Sequence, residues 1–333
     1  MKIAINGFGR IGRQILRIIM QHKSKLEVVA INDLTDIPTL AHLFEFDSTY
    51  GRYPGKVEVK ENAMVVDGKS VQIFAEKDPT QLPWGKLGVD VVFECTGVFR
   101  TKEKAALHLQ AGAKKVIISA PAKGDEPIDA TIVMGVNEDI LTGKEEILSN
   151  ASCTTNCLAP VAKVLHEAFK IKRGIMTTIH AATNDQKILD LPHKDLRRAR
   201  STLQSMIPTS TGAAKAVGLV IPELKGKLTG TSVRVPLPTV SLVDLTVEVG
   251  KNTTVEEVNK AFEAFAKKHP TILKVENKPL VSKDFQMDEH SGIVDAQSTM
   301  VLDDNLIKVF AWYDNEWSYS CRMVDLAEYI SKQ

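Results

Sequence analysis

Apolar and polar positions change period several times along the chain. Residues 2–8, "KIAINGF", form a short β-rich run. Residues 10–22, "RIGRQILRIIMQH", then place Ile11, Ile15, Leu16, Ile18 and Ile19 at helical spacing. Residues 26–33, 89–96 and 114–120 ("LEVVAIND", "VDVVFECT", "KKVIISA") are apolar runs suited to buried strands, and helical "TKEKAALHLQAG" (101–112) separates the last two. This alternation of strand and helix predicts an α/β fold with a parallel, doubly wound sheet. Between them, "VEVKENAMVVDGKSVQIF" alternates and turns at Asp67-Gly68, a hairpin signal.

The second half has a different texture. A helix is expected from Cys153 to about Phe169, followed by the strand "GIMTTIHAAT" (174–183). Residues 184–208 are polar and basic without a clear period. A helix near 209–219 and long alternating strands such as "TSVRVPLPTVSLVDLTVEV" (231–249) come next. The pattern predicts an α+β domain with a mostly antiparallel sheet. The boundary falls near 150, giving domains 1–150 and 151–315, with the helix at 316–333 packing back on the first.

Composition narrows the function classes. The 333 residues include 42 basic and 41 acidic ones, a formal net charge of +1. No broad field favours nucleic acid or an acidic membrane, so an anion site has to be local. The start, "MKIAINGFGR", lacks the long apolar stretch of a signal peptide, and no apolar run is long enough to span a bilayer. Four scattered cysteines, Cys95, Cys153, Cys157 and Cys321, fit free thiols in a reducing, cytoplasmic setting.

Gly7, Gly9 and Gly12 stand in G-x-G-x-x-G order between the first strand and first helix. Glycine allows the tight turn and lets backbone approach a pyrophosphate at a helix N-terminus. Asp33 ends the next strand, about 20 residues on, where a carboxylate can bind ribose hydroxyls and repel a 2′-phosphate. The expected cofactor of this Rossmann-type domain is NAD rather than NADP. The competing reading is a plain βα turn, with Asp33 capping the next helix.

"SNASCTTNCLAP" (149–160) raises four readings. Zinc lacks a second ligand pair, so no metal is expected. A disulfide does not suit a reducing compartment. Two packed thiols are the plain structural alternative. A nucleophile is favoured if a base lies elsewhere, because Cys153 opens a helix whose dipole stabilises thiolate and Ser152, Thr154 and Thr155 add hydroxyls. His180, at the end of the following strand, is the candidate base. Candidate anion binders are Arg197, Arg198 and Arg200 in "KDLRRARS", the Thr/Gly turn at Thr211-Gly212, and Arg234 within an apolar strand, where an arginine needs a partner. Arg197 and Arg200 read as a solvated face or subunit contact.

Taken together, "INGFGRIGR", "FECTGVF", "SNASCTTNCLAP", "HAATNDQKILDLPHKDLRRARS", "IPTSTGAAKAV" and "WYDNEWSYSCRMVDL" closely resemble the phosphorylating glyceraldehyde-3-phosphate dehydrogenases over essentially the whole chain. The resemblance implies Cys153 as nucleophile and His180 as its base. It implies Ser152, Thr154, Arg198, Thr211 and Gly212 as the site of attacking phosphate, and Thr183 and Arg234 as the site of the substrate's C3 phosphate. It adds Arg10, Ile11, Lys77, Ser119 and Asn315 to the NAD contacts, Asn315 holding the nicotinamide carboxamide. The implied glycolytic reaction takes glyceraldehyde 3-phosphate, phosphate and NAD to 1,3-bisphosphoglycerate and NADH, through a thiohemiacetal and a thioester on Cys153. The Cys153 amide and the His180 side chain are the expected oxyanion donors. A homotetramer is also implied, with residues 184–208 reaching a neighbouring subunit's cofactor site. Ala182, Lys77, Thr239 and Ser318 depart from the family pattern without removing a group from the mechanism. "LPHKDLRRAR" follows the triose-phosphate type rather than the related erythrose-4-phosphate dehydrogenases, and Leu191-Pro192 match the NAD-preferring pattern.

Overall fold

A computed structural model describes residues Met1–Gln333, which divide into two compact units. The first comprises Met1–Ile132, Glu138–Ala151 and Ser320–Gln333; the second comprises Val133–Asn137 and Ser152–Tyr319.

The first unit contains β1 (Lys2–Asn6), α1 (Arg10–Gln21), β2 (Glu27–Asn32), α2 (Ile37–Glu45) and a small ribbon, β3 (Phe46–Asp47) with β4 (Gly51–Arg52). After it come β5 (Val57–Lys60), β6 (Ala63–Val66), β7 (Lys69–Phe74), α3 (Trp84–Leu87), β8 (Val91–Glu94), α4 (Lys102–Gln110), β9 (Lys115–Ile118), β10 (Ala130–Thr131) and β11 (Ile147–Ser149). Nine of these strands form one sheet in the order β10-β11-β9-β8-β1-β2-β7-β6-β5. Every pair from β10 to β7 is parallel; β6 pairs antiparallel with both β7 and β5. Strand order reverses between β1 and β8, the switch point at which such sheets open a crevice beyond their carboxyl ends. The hairpin joining β6 and β7 turns at Asp67 (φ 49°) and Gly68 (φ 81°), the doubly left-handed turn that an Asp-Gly pair favours.

The second unit is built on α5 (Cys153–Phe169), β12 (Ile171–Ala181), β13 (Ile207–Ser210), α6 (Ala213–Val220), β14 (Leu228–Val235), β15 (Ser241–Val249) and α7 (Val255–Lys268). It continues through β16 (Leu273–Glu276), β17 (Gly292–Asp295), β18 (Met300–Leu302) and β19 (Leu306–Tyr313). Its sheet runs β13-β14-β12-β15-β19-β17-β16, with β18 on β19; only β12–β14 and β16–β17 are parallel. The last helix, α8, spans Trp317–Ile330, and within the first unit Ser24 Oγ donates to Glu328 at 2.5 Å.

Two expectations change. The helix near 209–219 starts only at Ala213, because Ile207–Ser210 is strand β13, paired with β14; Pro208 and β-branched Thr209 suit an edge strand, and Gly212 opens the helix. The alternating run 231–249 is two strands, broken where Pro236 and Pro238 remove donors. The pattern over 254–268 escapes the sequence reading. It is α7, with a complete Thr254/Glu257 capping box and Val258, Phe262 and Phe265 buried along one face.

Candidate active site

Strand register assembles one end of the second sheet. His180 pairs with Arg234 across β12 and β14, and Ser241 pairs with Tyr313 across β15 and β19. Helix α5 packs against β12, β15 and β19 and begins at Cys153. Its cap, Ser152, accepts from the Thr155 amide at 3.1 Å.

Cys153 Sγ lies 3.4 Å from His180 Nε2. His180 Nδ1 is 2.7 Å from the Ala181 carbonyl oxygen, which assigns the Nδ1 proton to that bond and leaves the Nε2 lone pair facing the thiol. Arg234 Nη1 sits 2.9 Å from the same Nδ1 and finds acceptors in Ala181 O (3.1 Å) and Thr183 Oγ1 (3.2 Å). Burial, reinforced by the Arg234 charge, holds His180 down at about 3, so the imidazole is neutral. Burial likewise pushes the Cys153 thiol up, offset in part by the Arg234 charge and hydrogen bonds from Thr154. Burial thus disfavours the charged form of each partner, and His180 Nε2 is the acceptor placed to receive the Cys153 proton. Cys157, fully buried and donating to Ala311 O at 3.7 Å, is pushed well above the usual thiol range and is inert.

Other groups close around this pair. The Tyr313 hydroxyl is 2.9 Å from both Thr154 Oγ1 and Thr178 Oγ1, and its ring meets the His180 ring edge-on. Ser241 Oγ accepts from the Ala181 amide at 3.0 Å and donates to Asn315 Oδ1 at 2.9 Å, turning the Asn315 amide nitrogen toward other partners. The preceding residue, Val240, has φ 68°, an outlying conformation for a β-branched side chain that its burial over Phe285 and Ile293 sustains. The departure at Thr239 is accommodated: its hydroxyl donates to Asp314 at 2.8 Å.

Arg198 contacts Asp185, Thr209 Oγ1 (2.9 Å) and Ser210 O (3.3 Å). Thr211 Oγ1 accepts from Ala213 N at 3.2 Å, and Gly212 caps α6 with open space where a Cβ would stand. Arg234 Nε is buried without a partner, an orphaned donor that suits an anionic ligand.

The first unit carries a separate cleft of about 430 Å³ lined by Gly7, Gly9, Asp33, Leu34, Lys77 and Thr96. Gly7 has φ 91°, and a Cβ there would lie 2.7 Å from Thr96 N; one on Gly12 would meet Gly7 O at 2.3 Å. Gly9 caps α1 with no side-chain hydrogen bond and no atom within 4 Å of a would-be Cβ, so the helix amides face an open cradle. Asp33 accepts from Phe8 N (2.8 Å) and Thr35 N (3.0 Å) instead of capping α2, whose cap is Asp36. Arg10 is held by Asp47 at 2.5 Å, Ile11 is half-buried on α1, and Ser119 N donates to Glu94 O at 3.0 Å. These residues fit a dinucleotide: a bare helix N-terminus for the pyrophosphate and a fixed carboxylate at the strand end.

Behind the cleft, buried Glu94 accepts from Asn6 Nδ2 (2.6 Å) and Thr96 N (2.8 Å) and lies 3.1 Å from His108 Nε2. Trp84 Nε1 donates to His108 Nδ1 at 3.1 Å, which assigns the remaining proton to Nε2, facing the carboxylate.

Tyr313, Thr178, Ser241 and Asp185 are absent from the sequence-derived set. Each reaches the site through a strand pairing or loop contact that no local motif signals. The structure contains no group of side chains that could hold a metal.

Comparison with known proteins agrees with this geometry. Residues 1–102 match the model of the glyceraldehyde 3-phosphate dehydrogenase NAD binding domain, and residues 152–315 match that family's C-terminal domain. A glyceraldehyde-3-phosphate dehydrogenase of Geobacillus stearothermophilus is 58% identical over 100% of this chain and 99% of its own length. One from Zymomonas mobilis is 57% identical with the same coverage, and one from Pseudomonas aeruginosa is 55% identical over 98% of this chain and 97% of its own. The chain therefore belongs to the glyceraldehyde-3-phosphate dehydrogenase family.

Proposed function

We propose that the protein is a glycolytic, NAD-dependent dehydrogenase that oxidises and phosphorylates glyceraldehyde 3-phosphate to 1,3-bisphosphoglycerate. The observation that carries this reading is the 3.4 Å approach of Cys153 Sγ to the unprotonated nitrogen of a buried, neutral His180. NAD supplies the hydride acceptor when bound; the amides at the start of α1, Gly7, Gly9, Arg10, Ile11, Gly12, Asp33, Lys77, Ser119 and Asn315 are the residues that would hold it.

His180 takes the thiol proton as Cys153 attacks the aldehyde carbon, giving a thiohemiacetal. The Cys153 amide at the helix N-terminus supports the developing oxyanion. His180 returns that proton to the oxyanion, giving the hydroxyl, and takes it again as hydride departs, leaving an acyl thioester on Cys153. Keeping the acyl group on sulfur conserves the oxidation energy until phosphate attacks. Arg234 and Thr183 anchor the C3 phosphate; Arg198 with Ser152, Thr154, Thr211 and Gly212 receives the attacking phosphate. Tyr313 has no acid–base part here: burial holds its hydroxyl well above the usual phenol range, and it braces Thr154.

The same reading includes a homotetramer in the cytoplasm, with the segment 184–208 at a subunit contact. Exposed Ile188, Leu189, Leu196 and Met206 on that segment support an interface, and no helix is long and apolar enough to cross a membrane. Following NADH absorbance with glyceraldehyde 3-phosphate, NAD and phosphate tests the activity. Turnover should require all three, and phosphate-independent turnover would contradict it.

A further inference from the structure

The two anion-binding arginines have different surroundings. Arg234 carries no carboxylate: its Nη1 donates to Ala181 O and Thr183 Oγ1, and its Nε is orphaned. Arg198 is already matched to anions. Its Nη1 donates to Asp185 Oδ2, its Nε lies 2.9 Å from Thr209 Oγ1 and 3.5 Å from Asp195 Oδ2, and its Nη2 donates to Ser210 O at 3.3 Å.

The two carboxylates are not equally held. Asp195 accepts from Thr209 Oγ1 at 2.7 Å and from Arg197 N at 2.9 Å, which ties it to the loop. Asp185 has 47% of its side chain exposed, and beyond Arg198 it lies 3.5 Å from His193 Nε2. Asp185 can turn away from Arg198 without breaking a tie to the loop backbone, whereas Asp195 cannot move without releasing Thr209.

We propose that Asp185 is an intramolecular competitor for the attacking phosphate, occupying Arg198 in the resting site and yielding it when inorganic phosphate arrives. This rests on the assignment of Arg198 to that phosphate. The two anion positions then differ in strength. The triose phosphate dianion is directed to bare Arg234, and the masked Arg198 discourages binding in the reversed sense, with the aldehyde turned away from Cys153. The return of Asp185 also weakens the hold on the phosphoryl group of the product.

Steady-state kinetics of Asp185→Asn test this. The substitution keeps shape and removes charge, so the KM for phosphate should fall about fivefold, the scale of a half-exposed ion pair. The KM for glyceraldehyde 3-phosphate should stay unchanged, with substrate inhibition appearing at high triose phosphate. Inorganic phosphate alone should raise the Tm of this variant at lower concentrations than it does the parent protein. Asp185→Glu, which restores the charge, should recover the parent phosphate KM; a merely structural role would not sort the two variants by charge. If Asp185→Asn does not fold, Asp185→Ser is read in the same way. An unchanged or raised phosphate KM in the folded neutral variant overturns the proposal. Arg198→Ala separates the two failures. If it leaves phosphate KM unaltered, the assignment of Arg198 is at fault; if it raises phosphate KM while the neutral variants do nothing, only the role of Asp185 is wrong.

Discussion

Arg234 stands at the intersection of substrate anchoring and acid–base control, and Arg234→Ala separates the two. Its Nη1 lies 2.9 Å from His180 Nδ1 and 3.2 Å from Thr183 Oγ1, while its buried Nε has no protein partner. A charge-assisted contact to a phosphate is worth ~1.5–3 kcal/mol, about one to two decades in kcat/KM. The charge also acts on its neighbours. It is second to burial in lowering His180, and it is the strongest influence opposing the burial-driven rise of Cys153. Without it, the His180 pKa should rise and the Cys153 pKa should rise further. The assay is kcat/KM for glyceraldehyde 3-phosphate and for unphosphorylated glyceraldehyde at saturating NAD, with the pH dependence of Cys153 alkylation measured beside it. The phosphorylated substrate should lose about one to two decades, glyceraldehyde much less, and the alkylation midpoint should move to higher pH. Equal penalties on both aldehydes would refute the anchoring role, and an unmoved midpoint would refute the electrostatic one.

Gly7→Ala should abolish NAD binding by calorimetry, because a Cβ at φ 91° would meet Thr96 N at 2.7 Å; near-parent affinity would contradict the cradle. Tyr313→Phe strands the hydroxyls of Thr154 and Thr178 and should cost about 1–3 kcal/mol by denaturant titration, with an unchanged midpoint counting against the bracing role. His180 is depressed, chiefly by burial, from 6.5 to about 3, so the unfolded chain binds its proton first and stability falls as pH drops from about 6.5 toward 3. His180→Gln should flatten the decline in Tm between pH 6.5 and 4, and an equally steep decline in the variant would contradict this.

The first sheet was legible because its signals are local: continuous apolar strands, a glycine turn, and an amphipathic helix directly after it. Cys153 was legible for the same reason, since a polar cap precedes an apolar helical run. What escaped depends on pairing across the chain. Tyr313 becomes a neighbour of Thr154 and Thr178 only when β19 joins β15, and Ser241 reaches Asn315 only across the same pair. Thr209 and Ser210 read as helix because the Thr/Gly turn at 211–212 looks like a helix start; pairing with β14 overrides that. Burial works against the thiolate that the helix dipole favours, and the Arg234 charge, which no local motif signals, opposes that burial.

The central claim is that the oxidised substrate is held on Cys153. Mixing the protein with NAD and glyceraldehyde 3-phosphate in phosphate-free buffer, quenching in acid and locating the adduct by peptide mass spectrometry tests it most directly. The account predicts a burst of NADH matching an acyl adduct on the peptide carrying Cys153, discharged when phosphate is added and absent from Cys153→Ser. A burst with the adduct elsewhere, or phosphate-dependent turnover by Cys153→Ser, would contradict it.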